Sequence, residues 1–439
     1  MNDGTATRGW IVFLEAFALA AVVAGFPLVA ALSQIIDMPS QPFSIAIRGV
    51  TALFCAVLLI VSVSPNRNAI WWWTMAACLG FWLAYVLRMT NDTLLKSYSL
   101  FYEPSSYWLW AIGGSIIPLF GLARGRYQLK DASHYFNWCF VFAFGAALLA
   151  LPNLSTTVQS DYGAYDGGRA ALTALNPISL GHLGVQLVLL SLWALFLRPD
   201  QKLLLGKLMF SVALVVGVYL ALVANSRGPL VSLVIALLFA VMASNLRSKY
   251  WIVGLILAGA VAFVPIVTLV DHIAGTQIYE RLLGSSQFDE VSTLGRIDLY
   301  ASAWSQFTKF PLTGYGLEDP VFGGYPHNLI IEAFMATGLF GGLLMITILI
   351  LTVVASYRTL RRVPAFGWLA LLVIQQIFAA QFSGTISQAT ILWGVVGALV
   401  SVYSLVAING RPRNAMVEVS SRNDPGLARG GHLARSPMA

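Results

Sequence analysis

In the stretch GGYPHNLIIEAFMATGLFGG, residues 323–342, His327 and Asn328 stand at the mouth of a long apolar run. A neutral imidazole there can take a proton from a hydroxyl, and general-base help of this kind is worth about 10²–10⁴-fold. Asn328 is a natural N-cap, and the positive end of the helix it opens depresses a nearby histidine pKa, keeping the ring unprotonated. The plainer uses of a histidine there are as a cap or a water-exposed side chain. Arginines offer a second chemistry. In NSRGPL, 225–230, the chain turns between two apolar spans with almost no loop, which pins Arg227 at a membrane boundary. Gly228 and Pro229 favour a helix start at that point, whose N–H groups also attract anions. Arg48, Arg88, Arg169 and Arg296 belong to the same side of the membrane, together with Lys96, Arg281 and Lys309. Any one of these arginines taken alone is better explained by topology or by contact with a lipid headgroup than by a ligand. Several arginines gathered with one histidine point instead to a phosphate-bearing ligand, because guanidinium forks match phosphate oxygens.

The elements that must position these residues follow from composition. Of 439 residues, 58% are hydrophobic and 10% charged, against about 25% charged in soluble domains. The mean hydropathy is +0.76. Apolar stretches of roughly twenty residues recur, each long enough to cross a hydrocarbon core of about 30 Å as a helix with its backbone bonds satisfied internally. The fold class is therefore an all-α polytopic membrane protein with about twelve transmembrane helices. The spans are 10–32, 43–63, 69–88, 106–123, 137–152, 177–197, 203–224, 228–243, 250–270, 329–354, 365–383 and 388–408. Segment 1–270 carries the first nine, 271–328 is a large loop, 329–408 carries the last three, and 409–439 reads as a disordered tail. The first span is too long for a signal-peptide core and reads as a retained anchor. Cys55, Cys78 and Cys139 all fall within spans, which is no disulfide framework.

Charge sets the orientation. One side collects 18 basic and 6 acidic residues, a net of +12; the other has 8 basic and 13 acidic, a net of −5. The positive-inside rule puts both termini in the cytoplasm and His327 outside. The overall charge of +7 is then a topology signal, and no nucleic-acid partner is needed. Loop 271–328 is far longer than an ordinary connection, and such loops are usually functional. Within it, Ile297, Tyr300, Ala301, Trp304 and Phe307 form one stripe of an amphipathic helix over 292–310, capped by Ser292 or Thr293 and ended by Pro311, Gly314 and Gly316. It carries Arg296, and a shorter helix is expected around 276–283. A lid without chemistry is the alternative reading of this loop. No HExxH and no DxD motif occurs in the outer loops, so no metal is expected.

His327-Asn328, then nine residues, then Gly338-x-x-Gly341 resembles the signature of the O-antigen ligase family. The preceding large loop, the NSRGP turn and the Pro-x-x-Gly-x-Gly pattern of GRIDLYASAWSQFTKFPLTGYGLEDP are similar to the same superfamily, which includes O-antigen polymerases and protein O-oligosaccharyltransferases. The motif-bearing part covers about 220–345. The resemblance implies a GT-C-like fold in a Gram-negative inner membrane, among whose lipids both substrates lie. It implies transfer of glycan from undecaprenyl pyrophosphate to a sugar hydroxyl of lipid A–core at the periplasmic face, with inversion, without metal and without other cofactors. His327 would be the base. Arg227 and Arg296 are the first choices to hold the pyrophosphate, followed by Arg88, Arg48 and Arg169, with Asn328 and Tyr315 supporting.

Two other classes compete. A transporter would carry internal repeats and midplane ionisable residues. No repeat is visible, and Gln375, Gln376 and Gln381 read as interhelical hydrogen bonds. A scaffold has no need of arginines around a histidine. Gly338, Gly341 and Gly342 read as a close helix–helix packing surface.

Overall fold

The computed structural model describes residues 3–62, 67–95, 100–155, 159–160, 163–164, 169–198, 204–244, 246–276, 278–283 and 287–409. The expected tail and Lys96 lie outside the described residues, as does the side chain of Arg281. The chain runs through α1 (Arg8–Ile35), α2 (Ser40–Val61), α3 (Ala69–Leu95), α4 (Pro104–Ala123), α5 (Leu129–Asn153), α6 (Pro177–Leu197) and α7 (Leu204–Val223). It continues through α8 (Arg227–Ala243), α9 (Leu246–Ala274), α10 (Ile278–Leu283), α11 (Gln287–Lys309), α12 (Leu329–Arg362), α13 (Pro364–Ala379) and α14 (Thr390–Asn409). Among the described residues, nine helices are long and apolar enough to cross a bilayer, and α8, α13 and α14 are shorter apolar helices. Nine and three correspond to the twelve expected spans, and the protein is an all-α polytopic membrane protein. A two-residue pairing of Gln159–Ser160 with Gly163–Ala164 decorates the loop between α5 and α6.

Lipid tails are as apolar as leucine, so packing rather than hydrophobic exclusion holds such a bundle together. Its buried aromatic side chains interlock accordingly. Phe81 and Trp82 of α3 meet Trp393 of α14 at centroid distances of 5.9 and 5.0 Å. Phe136 of α5 meets Trp193 of α6 at 4.7 Å and Trp368 of α13 at 5.9 Å.

The two ends of the bundle differ. At one end Arg8 pairs with Asp131 at 2.7 Å, Arg67 donates to Ser401, and Arg124 donates to the Ser62 carbonyl. Arg8, Arg67 and Arg124 are among the 18 basic residues counted on the positive side by sequence, and they lie at this end. The other end gathers the α3–α4, α5–α6, α7–α8 and α13–α14 connections around the loop that precedes α12.

That loop departs from expectation in three ways. It begins later, because α9 runs on to Ala274. Its amphipathic helix begins at Gln287, so Ser292 and Thr293 lie inside it and do not cap it. The face of α11 that is buried carries Ala303 and Gln306, whereas Ile297 and Trp304 stay 55% and 49% exposed. Trp304 and Phe307 hold the helix against Phe334 of α12, at 5.9 and 5.0 Å.

The span expected as a continuous 329–354 is two helices joined at Gly338, whose φ of 69° and ψ of −164° are not helical. The first half, 329–337, is too short to cross a bilayer; the second, 339–362, is about 36 Å long and is the crossing segment. A Cβ on Gly338 would sit 2.5 Å from the Leu312 carbonyl oxygen. The turn before α12 is threaded through the break: Leu339 N donates to Pro311 O and Tyr315 N to Met335 O, both at 2.7 Å. Gly314, at φ +70°, lies against Ala336 on the opposite side of that contact. Gly341 and Gly342 make room for Thr337 and Phe334 of the same element. These glycines therefore serve the fold of α12 on itself and of turn 311–315 into it, which corrects the reading of a surface for a neighbouring helix.

Candidate active site

Asn328 caps α12 as its type and position predict: Oδ1 accepts from Ile330 N and Ile331 N, each at 3.1 Å. Its Nδ2 reaches the Gln381 carbonyl at 3.4 Å, tying the cap to the end of α13. Leu329 N donates to Ala380 O and Glu332 N to Asn328 O. All four N–H groups that open the helix are thus engaged. The helix end acts on its surroundings through its dipole and has no N–H to offer a phosphate.

His327 sits just outside that cap with φ +53°, a left-handed conformation that costs a non-glycine residue about 1 kcal/mol or more. The turn directs the imidazole against Tyr325, at 4.6 Å between centroids. Tyr325 stacks in turn on Tyr102, their hydroxyls 3.4 Å apart. Burial first, and then the charge of Arg296, push the His327 pKa from 6.5 down to about 4. The ring is neutral at pH 7, and Arg296 of α11 is close enough for its field to act on it.

Arg227 is brought toward the same place by a different route. It opens α8 as an exposed side chain, and Ser226 before it makes no side-chain cap. The following Gly228 faces Phe382, whose neighbour Gln381 is bonded to Asn328. Arg169 lies beside this turn, because Ala170 N donates to Val223 O at 3.0 Å. So Arg296, Arg227 and Arg169 border the end of the bundle that holds His327.

Arg88 and Arg48 are placed otherwise. Arg88 donates from Nε to Ala336 O (2.9 Å), from Nη1 to Tyr315 O (3.0 Å) and Asp92 Oδ1 (3.4 Å), and from Nη2 to Thr313 O (2.6 Å) and Gly314 O (2.9 Å). A guanidinium has five N–H groups, and all five are occupied here. Arg88 is a clasp on turn 313–315 and the broken helix, which leaves no donor for a pyrophosphate. Tyr315 is part of that clasp, its ring 5.6 Å from Phe310. Arg48 lies over the Phe26 ring of α1 at 5.1 Å.

Sequence reasoning passed over the buried carboxylates that hold these segments. Asp92 accepts from Leu317 N at 2.9 Å; Glu318 accepts from Phe101 N at 2.7 Å and from Tyr107 Oη. Asp319 accepts from Val321 N, Phe322 N and Gln306 Nε2. Glu332, fully buried in the first turn of α12, accepts from Ile386 N, Thr385 Oγ1 and Tyr85 Oη. The i,i+4 spacing of Arg88 and Asp92 was the one available signal. Glu318 and Glu332 find partners more than fifty residues away and had none.

Residues 212–346 match the family model described as O-antigen ligase, a stretch that includes Arg227, Arg296, His327, Asn328 and Gly338. The chain is similar to the O-antigen ligase of Pseudomonas aeruginosa, with 27% identity over 236 residues, 50% of this chain and 52% of the relative. It thus spans about half the length of that relative in the match.

Proposed function

We propose that the chain is a member of the O-antigen ligase family, a reading supported by its match to that family's model over 212–346 and its similarity to a curated relative, and that it transfers glycan from undecaprenyl pyrophosphate to a sugar hydroxyl of lipid A–core at the periplasmic face of the inner membrane. The observation that carries this reading is the setting of His327: half-buried against Tyr325 beside the capped start of α12, neutral, and within the field of Arg296. The acceptor hydroxyl oxygen attacks the anomeric carbon as its proton passes to the imidazole. The bond from that carbon to the pyrophosphate oxygen breaks, and its electron pair leaves on the pyrophosphate. One base and one displacement invert the anomeric centre, with no glycosyl-enzyme. Arg296 and Arg227 stabilise the departing charge, as fixed cations in a partly desolvated site do most effectively.

Arg296 has two effects in this scheme. In the free protein it adds to burial in keeping His327 unprotonated. Once the pyrophosphate is bound its charge is offset, so the imidazole becomes a stronger base when the substrate is present. Tyr325, stacked on Tyr102, packs against the ring.

Reconstitution with purified lipid-linked glycan tests the proposal. Three acceptors are offered: lipid A–core, a second lipid-linked glycan, and a pilin-like protein. Glycan on lipid A–core is the expected result. Product on the second acceptor makes the chain a polymerase, and product on the third a protein glycosyltransferase. Movement of the donor across the vesicle without consumption makes it a transporter.

A further inference from the structure

One buried group beside Arg227 is unexplained by the fold. Asn225 is 1% exposed, yet neither its Oδ1 nor its Nδ2 has a hydrogen-bond partner within the protein. An enclosed amide atom left in that condition destabilises the fold. Asn225 is also left-handed, with φ +46°, so backbone strain adds to the cost. Position in the turn does not require an asparagine; glycine adopts that φ at no steric cost.

A second group of the same kind lies on the helix that abuts this turn. Gly181 of α6 abuts the same turn, where a Cβ would be 2.8 Å from Pro229 Cγ and 3.4 Å from Ala224 Cβ. His182 follows, about 7 Å below the outer end of α6. Gln376 Nε2 donates to Gln375 Oε1 at 2.7 Å, which orients the Gln375 amide so that its Nε2 donates to His182 Nδ1 at 3.0 Å. The proton of the neutral ring is therefore on Nε2, and that N–H has no partner within the protein. Gln186 Oε1, one turn deeper on the same helix, and Gln381 Oε1, beside the Asn328 tether, are likewise enclosed and unpartnered.

The chemistry of these atoms selects a ligand. All are neutral. Asn225 Oδ1, Gln186 Oε1 and Gln381 Oε1 are acceptors and need a hydrogen, which a pyrophosphate anion does not carry. Asn225 Nδ2 and His182 Nε2 are donors and need a lone pair. A hydroxyl both gives and takes, and adjacent hydroxyls on a sugar ring do so in pairs.

We propose that Asn225, backed by His182, is a subsite for saccharide hydroxyls beside the pyrophosphate-binding arginines. The proposal rests on the reading of the chain as a lipid-linked glycan transferase. The hydroxyls come from the sugar joined to the donor's pyrophosphate or from the acceptor sugar, and the test separates the two.

Asn225→Gly in the full-length protein removes the amide and suits the turn. Thermal unfolding in detergent is measured alongside binding of undecaprenyl pyrophosphate, undecaprenyl-pyrophosphate-linked glycan, and lipid A–core. The variant should unfold at the same temperature as the parent or higher. It should bind one glycan-bearing ligand about tenfold more weakly, the effect of losing one or two hydrogen bonds, and bare undecaprenyl pyrophosphate within twofold of the parent. Which of the two glycan-bearing ligands weakens identifies the sugar. His182→Phe, which removes the unpartnered N–H, should weaken the same ligand. Equal loss for bare undecaprenyl pyrophosphate would make Asn225 a phosphate contact and overturn the proposal. Unchanged binding of every ligand would mean the amide is satisfied by buried water, and would overturn it too. A lower unfolding temperature with unchanged binding would make the residue purely structural. Failure of the unmodified protein to bind lipid-linked glycan at all would remove the parent reading and this one with it.

Discussion

Lowering the pH separates a base held neutral by its surroundings from an ordinary histidine. The depressed pKa of His327, from 6.5 to about 4, corresponds to a preference of about 3 kcal/mol for the neutral ring. With a pKa of about 4, about 97% of the imidazole is still neutral at pH 5.5; with a pKa of 6.5 only about 9% would be. The rate per free enzyme should therefore be nearly flat from pH 7 to 5.5, where an unperturbed histidine would lose about tenfold. The sign is set by the direction of the shift: a base with a lowered pKa works above that pKa and fails as the pH drops through it. Two measurements should diverge. The acid limb of kcat/KM reports the free enzyme and should fall near pH 4. That of kcat reports the donor complex, in which the pyrophosphate offsets Arg296, and should fall at higher pH. Initial rates of glycan transfer in proteoliposomes, taken from about pH 3.5 to 8 with the protein's integrity checked at each end, give both limbs. A half-point of kcat/KM near 6.5 would refute the half-buried environment described for His327. A kcat that stays flat to the lowest pH at which the protein survives would refute its role as base.

Gly338→Ala should destabilise the protein by about 3 kcal/mol or more, since its backbone region is essentially glycine-only and the methyl would strike the Leu312 carbonyl. Gly254→Ala, where nothing lies within 4 Å, serves as the control in the same thermal scan and should be neutral or stabilising. Arg88→Ala strands four carbonyls and Asp92, and should cost about 3–5 kcal/mol; limited proteolysis within 310–325 reports it. Arg227→Lys should bind the donor poorly and lose most transfer, because a point charge does not reproduce the fork; normal transfer at normal membrane levels would refute the phosphate role. His327→Asn, with Asn328 still capping α12, should give folded protein without transfer, and recovery of activity would make His327 a structural residue.

Sequence reasoning reached the number and order of membrane helices because apolar length is a local property, readable twenty residues at a time. The cap at Asn328 and the turn at Arg227 were legible for the same reason: each depends on neighbours in the chain. The break in α12 was not. Its glycines looked like a packing surface, and only the threading of 311–315 through Gly338 shows what they accommodate. Arg88 shows the same limit. From sequence it resembled every other outer arginine, and its difference lies in four carbonyls more than two hundred residues away. Asn225 was passed over because an asparagine in a turn is unremarkable until its burial is known.

The half-helix between Asn328 and Gly338 is gripped at both ends, by the Gln381 carbonyl and by Pro311 with Arg88. That makes its length a ruler. One residue added between the two grips would advance the helix by 1.5 Å and rotate one end against the other by about 100°. If Gly338 kept its place in the turn, Asn328 would swing off Gln381 and carry His327 away from Tyr325. If Asn328 kept its place, a residue with a side chain would fall into the left-handed break. Side chains along 329–337 can drift where they face nothing essential, but their number is locked. Insertions that diversify substrate choice must accumulate outside this half-helix.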